Sequence, residues 1–364
     1  MTQPLPSFTA HTIAAIGTII GNMLQQRTEA FHIIYKEKKR IPDPATLVTT
    51  LLYGTADPHV HAVAHYHVHT AVYATQTVLT IEIAYHENAM MLSSVYQETQ
   101  QLVAKIITPT MHLHHKVMVI HDWITHHVTY DHTLQRRTAY DALHHNTTVC
   151  SGYASLFWHV CHAAGIPCRI VTGIGKFEAH AWNMVQLDTH WYHVDSTWST
   201  VADEQTPFHV YRFYLLTDKE IQRTHTVTVL PGQKAFPVAQ KQYREHLQQL
   251  GHRTPRLRGV VQRIQQKTGL AYLEPEHTVF GVAQLSKRLL QALQKRHTRV
   301  LFGYREATHS AHHDMREVLD DIRHTTQTQG VSIKVLVYPM PHGFGDDGVL
   351  VDVHVEYHRP PDGA

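Results

Sequence analysis

Cysteine is scarce in this chain, with three residues, Cys150, Cys161 and Cys168, among 364. Three cysteines are too few for a disulfide-stabilised scaffold, and their spacing lacks the paired Cys-x-x-Cys motifs of a structural zinc site. Cys161 follows Cys150 by about three helical turns and is expected to be a small core residue. The cysteine content therefore excludes two common structural uses of this residue.

Long apolar runs and a strong net charge are also lacking. The apolar stretch 13–24 contains Gly17, Gly21 and Asn22 and is too short and too polar to span a bilayer. No lysine or arginine precedes Arg27, so the basic region of a signal peptide is not visible. The formal net charge of +2, without a basic stripe, gives no electrostatic case for a nucleic-acid partner. We expect no membrane span and a cytoplasmic location by default, with an extracellular or cell-surface location left open.

Histidine is abundant instead. The chain has 35 histidines, more than its 32 lysines and arginines together. His65, His67 and His69 would share one face of a strand and could bind a metal ion. The excess runs through the whole chain, which favours a general replacement of other polar residues over a dedicated site. We therefore predict no metal site and no cofactor, and keep a histidine-cluster metal-binding protein as an alternative.

Two segments of the chain share one hydrophobic pattern at a nearly constant shift. The helix-spaced residues that correspond are Ile13, Ile16, Ile20 and Leu24 in the first segment and Val282, Leu285, Leu289 and Leu293 in the second. At the same shift, Tyr35-Lys36-Glu37 corresponds to Tyr304-Arg305-Glu306. Each segment (12–86 and 281–358) predicts the order helix, strand, helix, strand, strand. The pattern indicates a duplicated small α/β module, structural or binding in role.

The segment between these modules places Cys150 at the start of a helix. Tyr153, Leu156, Phe157 and Val160 lie on one helical stripe, and Gly165 is suited to end the helix. The helix dipole and the unpaired N–H groups at a helix start stabilise a thiolate, and they can also hold an oxyanion on an attacked carbonyl.

Three strands are predicted downstream, at 168–174, 179–187 and 191–198, with a tight turn between the last two. His180 and Asp195 then lie toward the open end of this hairpin on adjacent strands. Asp195 could orient His180 through a hydrogen bond, and His180 could serve as the base for the Cys150 thiol. His193 is interpreted as a neighbour of Asp195 on the same side of the strand.

The residues lie in three motifs, VCSGYA (149–154), HAWN (180–183) and WYHVDSTW (191–198). In this order they resemble the core of the transglutaminase-like superfamily, and within it the branch of bacterial transglutaminase-like proteins and the kyphoscoliosis peptidase. The resemblance covers about 110–226. The sequence departs from the frequent pattern at Ser151, where an acidic or amide residue is common, and at Ser199, where Asp often follows the tryptophan.

The resemblance implies an α+β fold, with a papain-like core in which a cysteine helix packs on an antiparallel sheet. Together with the repeat, it predicts an N-terminal module (1–86), a catalytic core with leading helices (87–230), a connector (231–280) and a C-terminal module (281–364). It implies a nucleophile Cys150, a general base His180 and an orienting Asp195. Neither the calcium loops of the animal enzymes nor the zinc motifs of the glycanase relatives are found.

The implied activity is acyl transfer or amide hydrolysis through a thioester, resolved by an amine or by water. The substrate would be a protein or peptide, including a cell-wall peptide. Tyr153, Trp182 and Trp198 are candidate substrate-binding residues, with packing in the core as the alternative for each. An adaptor that keeps the fold without catalysis is the alternative from another functional class. The sequence leaves the oligomeric state undetermined.

Overall fold

The computed structural model describes residues 4–36, 41–54, 58–201, 211–229, 235–305, 311–325, 331–339 and 348–358. The chain divides into two compact units, Met1–Thr200 with Gln222–Val238, and Val201–Ile221 with Ala239–Ala364. Both units combine helices with sheets, so the α+β class is confirmed. No helix among the described residues has the length and apolar character needed to cross a bilayer.

The first unit opens with a small sheet in the order β1-β2-β4-β3, with β1 and β2 parallel and the other pairs antiparallel. Its elements are β1 (Ser7–Ala10), α1 (Ile13–Gln25), β2 (Ala30–Tyr35), α2 (Pro44–Gly54), β3 (Val63–Val72) and β4 (Thr77–Tyr85). Alternation along the strands buries one face, including Phe31 and Ile81, against apolar residues of α1 and α2. The opposite alternation leaves His65, His67 and His69 exposed on the edge strand β3.

The rest of the first unit surrounds a larger antiparallel sheet. Its elements are α3 (Ala89–Ile106), α4 (Leu113–His127), β5 (Thr129–Tyr130), α5 (Ala139–His145), β6 (Thr147–Thr148), α6 (Cys150–Ala163), β7 (Cys168–Gly175), β8 (Glu178–Leu187), β9 (His190–Val194) and α7 (Ser196–Val201). A later segment of the same unit adds β11 (His225–Val227) beside β7. Helix α6 packs on β7 and β8 through Ala154, Ile170 and Ala181. The predicted cysteine helix on an antiparallel sheet is therefore confirmed.

The second unit contains a sheet in the order β12-β13-β15-β14. Its elements are β10 (Tyr214–Leu216), α8 (Asp218–Ile221), α9 (Tyr243–Arg253), α10 (Arg258–Thr268), β12 (Thr278–Phe280), α11 (Gly281–Gln294), β13 (Arg299–Arg305), α12 (Ala311–Thr325), β14 (Val331–Pro339) and β15 (Gly348–Tyr357). Its strand order and directions repeat those of the β1–β4 sheet. This shared topology is compatible with two copies of one module, and the duplication itself stays a prediction. Glu37 and Glu306 of the matched triplets lie outside the described residues.

The structure differs from the sequence-based expectations in four places. The short strands β1 and β12, of four and three residues, were missed because they carry no readable alternation. The segment between α4 and α6, to which no helix was assigned from the sequence, contains α5, which Thr138 and Asp141 begin with a capping box. The segment 231–280, predicted to be a connector between domains, contains two helices, α9 and α10. The predicted strand 191–198 ends at Val194, where the chain turns into α7.

Candidate functional site

Cys150 is the first residue of α6, as its spacing predicted. The preceding Val149 is extended, and its N–H donates to the Arg136 carbonyl. A loop before the helix is fixed by Asp131, whose carboxylate accepts hydrogen bonds from the Thr133 hydroxyl and from the N–H groups of Thr133, Gln135 and Arg136. These bonds hold the pKa of Asp131 well below its usual range, and the bond from the Thr133 hydroxyl has the largest effect. The turn before the helix is therefore held in place by hydrogen bonds to the charged Asp131 carboxylate.

Gly152 lets the helix start lie against this turn. A Cβ atom at position 152 would lie 1.9 Å from the Thr148 hydroxyl oxygen and 2.7 Å from the Thr138 carbonyl oxygen. Thr148 itself donates to the carbonyl oxygens of Arg136 and Thr138. Any side chain at position 152 would push the helix away from the turn. The glycine of the VCSGYA motif thus has a steric role in placing Cys150.

His180 and Asp195 meet across the β8–β9 hairpin. Asn183 pairs with Val194, so Asp195 follows directly after the last paired residue of β9, diagonally across from His180. The Nε2–H of His180 donates to Oδ2 of Asp195 over 2.9 Å. The side chains are 7% and 0% exposed, so this contact is shielded from water. The predicted hairpin is confirmed, and the diagonal offset explains how residues in inexact register make contact.

The pKa values of His180 and Asp195 are both shifted strongly. Burial by itself lowers the pKa of His180, but the Asp195 carboxylate, together with hydrogen bonds to Asp195 and Cys150, raises it to about 10. Burial opposes ionisation of Asp195, yet His180 and His225 hold the pKa of this carboxyl well below its usual range. Because Nε2 of His180 is engaged with Asp195, Nδ1 is the ring nitrogen left for the Cys150 thiol. The three predicted triad residues are therefore brought together around one imidazole.

The other oxygen of Asp195 begins helix α7. Oδ1 accepts the backbone N–H of Thr197 over 2.9 Å and that of Trp198 over 3.1 Å. These bonds satisfy the first donors of α7, and they are the reason that the strand predicted through 198 stops here. The Ser199 hydroxyl donates to the Asp195 carbonyl and also contacts Nε2 of His121. Ser199, a departure from the frequent pattern, thus ties the segment to α4.

Ser151, the other departure, is bonded as well. Its hydroxyl donates to the Arg137 carbonyl over 2.8 Å. Arg137 also belongs to the turn before α5, where its N–H donates to Asp141. Ser151 therefore adds a further link between the start of α6 and the loop that precedes it.

A second histidine, His225, contacts the same carboxylate. Its Nε2 lies 3.1 Å from Oδ2 of Asp195, and both side chains are fully buried. Sequence reasoning missed this residue. It is one of 35 histidines, it lies thirty residues beyond Asp195 on a three-residue strand, and no local motif marks it. Only the pairing of β11 with β7 brings it to the site.

The three candidate substrate-binding residues occupy different positions. Tyr153 is fully buried, and its hydroxyl donates to the Val128 carbonyl over 2.7 Å. Trp182 is 1% exposed and donates its indole N–H to Nδ1 of His193. Trp198 is only half-buried, and the Lys176 ammonium lies 5.3 Å from its ring centroid. Of the three, Trp198 alone offers a surface to a bound molecule in this structure.

His180, Asp195 and His225 also form a group that could hold a metal ion, with ligand atoms within 4.8 Å of one another. The nearest such atoms are the two Nε2 atoms and Oδ2, and these already face each other in hydrogen bonds. A metal ion would have to replace those bonds and neutralise the contact between His180 and Asp195. The arrangement fits proton chemistry without any such exchange.

Comparisons with known proteins match the region that carries Cys150, His180 and Asp195. Residues 100–196 match the family model of the Transglutaminase-like superfamily. The kyphoscoliosis peptidase of Mus musculus is 38% identical over 125 residues, covering 28% of this chain and 19% of the relative. The Homo sapiens protein of that name is 36% identical over 126 residues, with the same coverage. The chain thus spans about a fifth of the length of these curated relatives. A solved structure described as a TGase matches over 64% of this chain and 69% of its own, with 14% identity and a TM-score of 0.26, too low to carry an argument.

Proposed function

We propose that this protein is a thiol enzyme acting on amide bonds of protein or peptide substrates, because residues 100–196 match the family model of the Transglutaminase-like superfamily. The observation that carries the proposal is the chain of contacts from the half-buried Cys150 through the buried His180 to the buried Asp195. A thiol at a helix start, an imidazole beside it and a carboxylate behind the imidazole are the groups that nucleophilic acyl transfer requires.

The first half of the reaction forms a thioester. With the proton on His180, Sγ of Cys150 carries the negative charge and attacks the carbonyl carbon of the amide. The carbonyl oxygen becomes an oxyanion, and the first N–H groups of α6 are suited to receive it because a helix start has no carbonyls to bond them. As the carbon–nitrogen bond breaks, His180 gives its proton to the departing amine. The products of this half are a Cys150 thioester and a free amine.

The second half resolves the thioester. Water or a primary amine attacks the thioester carbon while His180 accepts its proton. The carbon–sulfur bond then breaks and the thiolate returns beside the imidazolium. Water gives a carboxylate, so the net reaction is amide hydrolysis; an amine gives a new amide, so the net reaction is acyl transfer. Asp195 keeps its charge throughout and stabilises the imidazolium.

The relatives' names bear on the choice between these outcomes. Both curated relatives are named as peptidases. Hydrolysis of a protein or peptide amide is therefore the outcome we favour for this chain, with transfer to an amine as the second branch of the same thioester.

The reactivity of Cys150 gives the first test, and the chain supplies its own controls. Iodoacetamide labelling near neutral pH, read by peptide mass spectrometry, compares Cys150 with the buried Cys161 and the half-buried Cys168. We expect Cys150 to react at least about ten times faster than either, because an activated thiolate is the reactive form. His180→Ala is expected to reduce this rate on the order of 100-fold. His162→Ala, an exposed histidine on the same helix, is the matched control. Equal labelling of the three cysteines would falsify the proposal.

The products give the second test. Wild-type protein and Cys150→Ala are incubated with casein, with and without a fluorescent primary amine, and analysed by mass spectrometry. We expect cleavage or deamidation products that depend on Cys150, and incorporation of the amine if the second branch operates. If the two proteins behave identically in every such assay although Cys150 labels normally, the non-catalytic adaptor becomes the better description.

A further inference from the structure

We infer that His225 is a positioning residue that sets how strongly Asp195 acts on His180. The inference rests on the proposed function, because it concerns the proton that His180 holds during the reaction. His225 acts through Asp195, on which it forms a second histidine contact.

All the acceptor positions of the Asp195 carboxylate are in use. Oδ1 receives two backbone N–H groups at the start of α7. Oδ2 receives Nε2 of His180 over 2.9 Å and Nε2 of His225 over 3.1 Å. The carboxylate therefore cannot rotate toward His180 without giving up another bond. Its charge is divided between two imidazoles.

The ring of His225 is held in the orientation that this bond needs. The Thr224 hydroxyl lies 2.8 Å from Nδ1, so the two ring nitrogens have separate partners. A ring that accepts the Thr224 hydroxyl proton on Nδ1 carries its own proton on Nε2, and a fully protonated ring also carries one there. In either state Nε2–H donates to Asp195.

Two glycines allow β11 to bring His225 this close. A Cβ atom at Gly173 would lie 2.0 Å from the Thr226 carbonyl oxygen, and one at Gly175 would lie 2.9 Å from the Trp198 ring. With only hydrogen atoms at these positions, β11 pairs with β7 and the His225 ring packs 4.3 Å from that of Trp198, between centroids. The site thus contains a built place for a second imidazole.

Charged and titratable groups face His225 from β8 and from the end of β9. From β8, the His180 ring lies at 5.3 Å between centroids, and from the end of β9 comes Asp195. Trp182 packs edge-on at 4.9 Å and separates His225 from His193, with which its indole bonds. Lys176 of the β7–β8 turn contacts the Trp198 ring. His180 and Asp195 are therefore the groups that a change at His225 affects first.

The direction of the effect follows from the shared oxygen. A carboxylate that loses one of its hydrogen-bond donors is a stronger partner for the remaining imidazolium. Removing the His225 donor should therefore raise the pKa of His180 further. His180 would then give its proton less readily to a departing amine, so turnover falls while substrate binding is unchanged.

The test measures Cys150 labelling by iodoacetamide, resolved by site, between about pH 5 and 11. Loss of the His180 proton changes the reactivity of the paired thiolate and gives an inflection on the alkaline side. We expect His225→Phe, which fills the space without a donor, to move this inflection upward by about 0.5–1 pH unit. His225→Gln retains a hydrogen-bond donor near the position of Nε2. We expect this variant to return the inflection to its wild-type pH. Thr226→Val, an exposed neighbour on the same strand, is the control and should not move it.

The outcomes separate the two ideas. A reactive, His180-dependent wild-type Cys150 whose inflection is unmoved in His225→Phe overturns the role of His225 and leaves the proposed function intact. A wild-type Cys150 that reacts like an ordinary thiol overturns the proposed function instead. If His225→Phe fails to fold, Thr224→Val keeps the ring and removes its orienting hydroxyl. A smaller upward shift is expected there, and the absence of any shift counts against the inference.

Discussion

The site region of the sheet that carries His180 and the apolar faces of the sheets built from β1–β4 and β12–β15 bury different chemistry. In the two smaller sheets, strand alternation buries apolar residues such as Phe31 and Phe302. In the larger sheet, one region buries an aspartate, two histidines of the site and the indole of Trp182. Each of these polar groups has a named hydrogen-bond partner. Apolar burial tolerates exchange of one hydrophobic residue for another, whereas the polar region depends on every partner being present.

The largest expected effect is on the polar region. Asp195→Asn keeps an acceptor for the start of α7 but removes the charge and presents N–H groups toward two imidazoles. We expect turnover to fall on the order of 10³–10⁴-fold, because His180 loses both its correct proton placement and the stabilisation of its cation. Initial rates on an amide substrate measure the loss. Turnover within tenfold of wild type would show that the carboxylate is only structural.

The apolar regions should respond in stability alone. Phe31→Ala and Phe302→Ala each remove a fully buried ring, and we expect each to lower the free energy of unfolding by about 3–5 kcal/mol. Denaturant unfolding measures this loss. Cys150 labelling in the folded fraction should keep its wild-type rate. A changed labelling rate in either variant would break the division between the two kinds of region.

His159 sharpens the comparison because it is buried without a charged partner to balance it. Its Nδ1 has no hydrogen-bond partner among the described residues, and burial, with His59 next in effect, lowers its pKa to about 3. Since the unfolded chain binds this proton at its ordinary pKa of about 6.5, stability is intact above that value and is lost as pH falls toward about 3. The loss amounts to about 2 kcal/mol at about pH 5. The free energy of unfolding of His159→Phe should fall correspondingly less than that of wild type between about pH 8 and pH 5. An equal decrease in both proteins would contradict this role of His159.

The smallest effect is expected on the exposed histidines of β3. His67→Thr changes a surface residue on an edge strand, and we expect unfolding to stay within about 0.5 kcal/mol of wild type. Thermal unfolding with and without zinc chloride checks the metal-binding alternative at the same time. A zinc-dependent rise in the wild-type melting temperature that His67→Thr lacks would support that alternative.

The same contrast explains which features the sequence predicts. Apolar periodicity located α1, α6 and the longer strands of the smaller sheets, because regular burial repeats at a fixed interval. The start of α6 and the β8–β9 hairpin followed from local residues, so Cys150, His180 and Asp195 could be placed near one another. His225 could not be found, since a long-range strand pairing and two glycines bring it to the site. Thr138 with Asp141 did mark the start of α5, and that signal was overlooked.

Asp195 follows the last residue of β9, bonds the first N–H groups of α7 and holds the proton on His180. In the proposed reaction, activation of Cys150 therefore depends on residues that leave the ribosome well after the thiol does. A nascent chain that ends between α6 and β9 contains the cysteine without Asp195. The proposed acylation chemistry would begin only once the β8–β9 hairpin and the first turn of α7 have formed.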